Sequence, residues 1–141
     1  MATTVRDYMT FTPHTIDAGS SLASAHQQMR AHGFRHLPVL EKGELVGIVT
    51  TRDLHILECF KQVDQSKTPV RDAMTRAPYT VAAEEPLEEV ARSMALHKHG
   101  SAVVTENGRV VGIFTVIDAL RALADALHHA PTSTRWGHVI G

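Results

Sequence analysis

A threonine followed three residues later by an aspartate occurs twice, as Thr50 and Asp53 in GIVTTRDL (47–54) and as Thr115 and Asp118 in GIFTVIDA (112–119). At a strand-to-helix junction this pair has two chemistries. In the first, the hydroxyl takes up a free backbone N–H and the carboxylate reaches back to the cap, a capping box that contributes about 1 kcal/mol and needs no ligand. In the second, the free N–H groups and positive dipole end of the helix attract phosphate, the hydroxyl adds a hydrogen bond, and the carboxylate accepts the hydroxyls of a ribose. Arg52, beside Asp53, would then neutralise phosphate charge. Its counterpart Ile117 cannot, although Arg121 lies one turn below Asp118, so two such sites would differ in strength.

The elements that position these residues are also written twice. At a constant offset of 65, VRDYMT (5–10) falls on VRDAMT (70–75), and the register holds without a gap to Leu54 on Ala119. Two copies are too few for a solenoid, which needs about three or more stacked units, so a closed pseudo-twofold pair is expected. In each copy Thr15-Ile16 or Thr80-Val81 opens a short strand. A helix follows, with Leu22, Ala25 and Met29, or Leu87, Val90, Ala91 and Met94, at helical spacing. Ser20 is expected to cap the first of these helices, and Pro86 fits the first position of the other. Two β-rich runs come next, joined by Lys42-Gly43 or by Asn107-Gly108, a tight-hairpin signal.

The closing helices carry Leu54, Leu57 and Phe60 on one face in the first copy, and Leu120, Leu123, Ala124 and Leu127 in the second, where Pro131 ends the pattern. The sequence thus predicts a mixed α/β (α+β) fold of two β-α-β-β-α repeats, residues 1–65 and 66–130, followed by a tail over 131–141 that contains Trp136. One copy alone would be a marginal core, so the two are expected to bury their sheets or helices against each other.

With 141 residues, 43% of them apolar, and 14 basic against 15 acidic side chains, the chain suits one soluble folding unit and offers no nucleic-acid-binding stripe. No apolar run is long enough to span a bilayer, and MATTVRDYMT lacks the apolar core of a signal peptide, so a cytoplasmic protein without membrane association is expected. Cys59 has no disulfide partner, and its apolar helical context predicts a buried, inert thiol. No nucleophile has a base at motif spacing and there is no phosphate-cradling glycine loop, so no enzyme activity is expected.

Ten histidines are present, with His32, His36, His97 and His99 just after the first helix of each copy. They read either as solvated helix ends suited to the dipole or as a metal cluster, but local cysteine or carboxylate company is missing and no metal ligand is assigned. Their protonation would make ligand binding sensitive to mildly acid pH.

The ordered set of V-R-D-x-M-T, the RHLPV stretch of the first copy (35–39) and G-I-x-T-x-x-D resembles a tandem pair of cystathionine β-synthase (CBS) domains over residues 5 to about 127. The resemblance implies two repeats packed through their sheets, with clefts between them for AMP, ADP, ATP or S-adenosylmethionine, no other cofactor, and a homodimer of such modules. It also implies Asp53 and Asp118 as ribose ligands and Thr50 and Thr115 as phosphate-side donors. Thr15, Ile16, Thr80 and Val81, with His36, Leu37, Pro38, Ser101, Ala102 and Val103, would line the adenine pockets. The second copy has Ser-Ala-Val where the first has His-Leu-Pro, and lacks the basic residue before its Asp. The expected function is a stand-alone regulatory module that binds an adenine nucleotide and signals to an unidentified effector protein. A ligand-free interaction module and a His-mediated metal-binding stress protein are the alternatives.

Overall fold

The structure, a computed structural model, describes residues 3–12 and 14–128. Pro131, Trp136 and the 131–141 tail lie outside the described residues, as does His129. Eight strands and four α-helices follow in order among these residues: β1 (Thr10–Phe11), β2 (Ile16–Asp17), α1 (Leu22–His32), β3 (His36–Glu41), β4 (Glu44–Thr50), α2 (Thr51–Glu58), β5 (Thr75–Arg76), β6 (Thr80–Ala82), α3 (Leu87–His97), β7 (Ser101–Glu106), β8 (Arg109–Thr115) and α4 (Val116–His128). They form two four-stranded sheets, β2-β3-β4-β5 and β1-β8-β7-β6, so the mixed α/β fold of two repeats is as the sequence predicts. None of the described helices is long and apolar enough to cross a membrane.

The local signals act where the sequence puts them. Both hairpins turn through residues with φ near +53° and +80°, Lys42-Gly43 and Asn107-Gly108, the backbone a two-residue primed turn requires. The apolar faces of α1 and α3 are buried through Leu22, Ala25, Met29, Val90 and Met94. The cap of α1 is Ser21, one residue beyond the expected Ser20, and its Oγ accepts from the Ser24 N–H at 3.1 Å.

Beyond the expected elements, each repeat lends its opening segment to the other repeat's sheet. β1 pairs antiparallel with β8 of the second repeat, and β5 pairs with β4 of the first. The duplicated V-R-D-x-M-T forms this clasp. Val5 is buried in the core of the second repeat and Val70 in that of the first. Arg6 pairs with Glu106 on the second hairpin at 2.6 Å, and Arg71 with its counterpart Glu41 at 3.5 Å. Between the sheets, Ile48, Val103 and Ile113 form a small third core.

The repeated glycine before each Thr-x-x-Asp is explained by the same exchange. A Cβ on Gly112 would stand 2.6 Å from the Thr10 carbonyl oxygen, and one on Gly47 would stand 2.7 Å from that of Thr75. Both obstacles are backbone and cannot swing aside. Gly112→Ala is therefore expected to destabilise the protein by about 1–3 kcal/mol by prising β1 from β8. Gly100→Ala, with nothing within 4 Å of the added carbon, serves as the control. Urea denaturation of the two variants checks this, and equal midpoints would contradict it.

One expectation about exposure is corrected. Cys59 is exposed, because α2 ends at Glu58 and the thiol sits past its last turn. On α4 the stripe of Leu120, Leu123 and Leu127 faces outward at 53%, 53% and 47% exposure, while Ala122 and Asp118 turn inward.

Candidate functional site

Each Thr-x-x-Asp sits where a strand runs into a helix, and each forms its capping box. Thr50 N–H donates to Asp53 Oδ2 at 2.9 Å, and Asp53 N–H donates back to Thr50 Oγ1 at 3.1 Å. Thr115 and Asp118 repeat this at 2.9 and 3.4 Å. At Thr50 capping and ligand binding are compatible, because its hydroxyl accepts from the backbone and keeps its proton to donate, whereas the Thr115 hydroxyl donates to Asp118 Oδ2 at 3.3 Å.

The two aspartates differ in what remains. Among the described residues, no hydrogen bond engages Asp53 Oδ1. Asp118 is buried, and its Oδ1 accepts from Arg121 at 2.6 Å and from Thr10 Oγ1 at 3.4 Å. Arg121 also donates to the Tyr8 carbonyl at 3.2 Å, so it braces Asp118 from within the chain.

Two clefts between the repeats correspond under the 65-residue offset. The first, about 340 Å³, brings Thr50, Asp53 and His36 against Tyr79, His99 and Ser101 of the second repeat. Its counterpart, about 160 Å³, brings Thr115 and Thr10 against Phe34, Arg35 and His36. Each cleft thus takes its Thr from one repeat and its pre-hairpin wall from the other, and Gly100 stands in the first where Arg35 narrows the second. Small-ligand pockets occupy about 300–1,000 Å³, a range the first cleft enters and the second does not. In the first cleft the rings of Tyr79 and His99 stack with centroids 4.6 Å apart and planes 15° apart, an aromatic wall. Lys98, also on that wall, brings a positive charge.

Of the residues expected in the site, His36, Thr50, Asp53 and Ser101 meet in the first cleft, and His36 and Thr115 in the second. Arg52 lies with Arg35 on an adjoining groove of about 680 Å³ that shares Thr50 and His36 with the first cleft. The side chains of Ile16, Leu37, Pro38, Val81, Ala102 and Val103 are buried in the cores. Thr15 and Thr80 are on neither cleft wall. Tyr79 and His99 escaped the sequence reading, although HKHG (97–100) was visible as a histidine cluster. Of the four histidines after the first helices, His36 and His99 share the first cleft and His97 stacks on His99 at 5.7 Å, while His32 stacks on His14 at 4.0 Å.

Burial pushes the His36 imidazole below its ordinary value of 6.5, with Arg35 acting in the same direction and Asp53 and Asp118 opposing it. An imidazole lowered in the folded state is protonated first in the unfolded chain. Stability from this group is therefore whole above about pH 6.5 and is lost as pH falls from there towards the folded value. His36→Gln is expected to flatten this part of the stability profile between pH 7.5 and 5.5. Denaturation midpoints of wild type and variant check it, and parallel profiles would contradict it.

The profile of the CBS domain matches residues 5–56 and 70–125. Inosine-5'-monophosphate dehydrogenase of Korarchaeum cryptofilum is 36% identical over 115 residues, 81% of this chain and 22% of that protein. This chain spans a quarter or less of the length of the curated relatives it matches first. Among solved structures, the CBS domain pair of protein MJ0100 in complex with 5'-methylthioadenosine and S-adenosyl-L-methionine superposes with a TM-score of 0.77 at 30% identity, covering 89% of this chain and 99% of that one. CBSX2 in complex with AMP superposes with a TM-score of 0.69 at 26% identity, covering 88% and 98%.

Proposed function

The chain belongs to the CBS domain family, with two copies in tandem, and from that premise we propose a regulatory module that binds an adenosine-containing ligand in the Asp53 cleft. The ligand class is AMP, ADP, ATP or S-adenosylmethionine. The observation that carries this reading is the conjunction, in one cleft of about 340 Å³, of a carboxylate oxygen left free by its cap, a helix N-terminus with a hydroxyl, and a stacked aromatic wall. The adenine would stack on Tyr79 and His99, Asp53 would accept the ribose hydroxyls, and the phosphate would turn towards Thr50 and Arg52. Asp118, already held by Arg121 and Thr10, is assigned a structural role, which makes the second cleft the weaker site.

The ligand-bearing relatives support this class of ligand for the fold. The exposed apolar face of α4, with Ile56 on α2 and Phe60 just past its end also exposed, supports a homodimer in which these residues are covered. Signalling follows if the ligand binds two arrangements of the repeats unequally, and an effector protein reads the difference. The module is non-catalytic and cytoplasmic, with no nucleic-acid or membrane partner.

A thermal-shift panel of AMP, ADP, ATP, S-adenosylmethionine and GTP tests the reading. A ligand at about a hundredfold over its dissociation constant adds about 2.7 kcal/mol, which at this size raises the midpoint by roughly 5–10 °C. Such a rise with adenosine compounds and none with GTP is expected. A flat panel would return the Thr-x-x-Asp pairs to capping alone.

A further inference from the structure

Outside the clefts, α1 and α2 pack so that three ligand-type side chains converge: His26 from α1, and His55 with Glu58, one turn apart, from α2. One donor atom of each lies within 4.8 Å of the others. His26 Nε2 and Glu58 Oε2 are 2.5 Å apart, both side chains are largely sheltered, and the rings of His26 and His55 stack with centroids 5.6 Å apart. We propose that this trio is a binding site for a divalent transition metal of the zinc class, independent of the nucleotide reading.

The second repeat supplies the comparison. Under the 65-residue offset, His26, His55 and Glu58 fall on Ala91, Leu120 and Leu123. The second repeat carries no polar side chain at these places, and there Leu120 and Leu123 stay exposed, so the trio is particular to the first repeat. In the first repeat, two imidazoles and a carboxylate form the mixed nitrogen and oxygen set that zinc takes in three-ligand sites, leaving a fourth position for water or an exchangeable ligand. Bonds of about 2.0–2.2 Å to a tetrahedral ion place donor atoms roughly 3.4 Å apart. The cluster reaches that spacing by opening the His26–Glu58 contact and drawing His55 inward. His55 also lines the adjoining groove that holds Arg52, so the site is reached from solvent through that groove.

The test is titration of the chelator-treated, untagged full chain with Zn²⁺ by calorimetry and with Co²⁺ by visible absorption. One ion per chain is expected, with the intense bands of a tetrahedral site for cobalt. His26→Ala, His55→Ala and Glu58→Gln should each weaken binding by about 100-fold or more. A triple variant, His26→Ala/His55→Leu/Glu58→Leu, carries the second repeat's residues at these places, and it should melt cooperatively and bind no ion at that stoichiometry. His32→Ala should leave metal binding unchanged. Retention of the one-to-one site in the triple variant, its loss in the His32 variant, or a cobalt spectrum without tetrahedral bands would each overturn the proposal.

Discussion

Asp53→Ala is expected to weaken adenosine-ligand binding by about 10–100-fold, the range set by losing hydrogen bonds to a charged group, about 1.5–3 kcal/mol. Asp118→Ala is expected to leave that affinity within a few-fold of wild type and to cost stability. The contrast rests on the oxygens: Asp53 gives only Oδ2 to its cap, whereas both oxygens of Asp118 are taken by Thr115, Arg121 and Thr10. Because Asp53→Ala also loses a capping contact, about 1 kcal/mol of stability goes with it. Affinity is therefore measured by direct titration of folded protein, away from the melting region. Equal loss of affinity in both variants would contradict the assignment of the site to the first cleft.

Phe114→Ala is expected to cost about 3–5 kcal/mol, the range for removing a buried aromatic side chain, and to lower the thermal midpoint by about 10 °C or more. Phe114 is fully buried at the centre of a core that includes Val5 and Met9 from the opening of the chain. Damage to this core therefore also loosens the segment that ties the two repeats together. The variant should unfold in one transition at lower urea, followed by fluorescence and circular dichroism together. Two separate transitions would contradict the mutual clasp of the repeats.

Much of this architecture was legible in the residues. The 65-residue offset announced the pseudo-symmetry, the Gly-containing turns marked both hairpins, and helical spacing at Leu22, Ala25 and Met29 and at Val90 and Met94 marked the buried faces. The strand exchange was not legible. β1 and β5 have two residues each, too few for a period of two, and their pairing is decided by a partner strand in the other repeat. The clue was Gly47 and Gly112, whose missing Cβ makes room for the visiting strand, but a lone glycine does not say what approaches it.

The site divides in the same way. Thr50 and Asp53 are local in sequence, so their geometry follows from the strand-to-helix junction. Tyr79 and His99 come from the other repeat and meet Asp53 only through tertiary packing. In the sequence Arg121 reads as a phosphate-side residue because it stands one turn from Asp118, yet in the structure that spacing makes it the carboxylate's own partner. The outward face of α4 reads in sequence like a core-facing one, since periodicity gives the face of a helix and not what covers it.

One adenosine-ligand site per chain is expected, at Asp53. Calorimetric titration of AMP into the wild-type chain decides this: saturation at one nucleotide per chain is the expected result, whereas two equivalent sites, or no heat of binding at millimolar AMP, would overturn it.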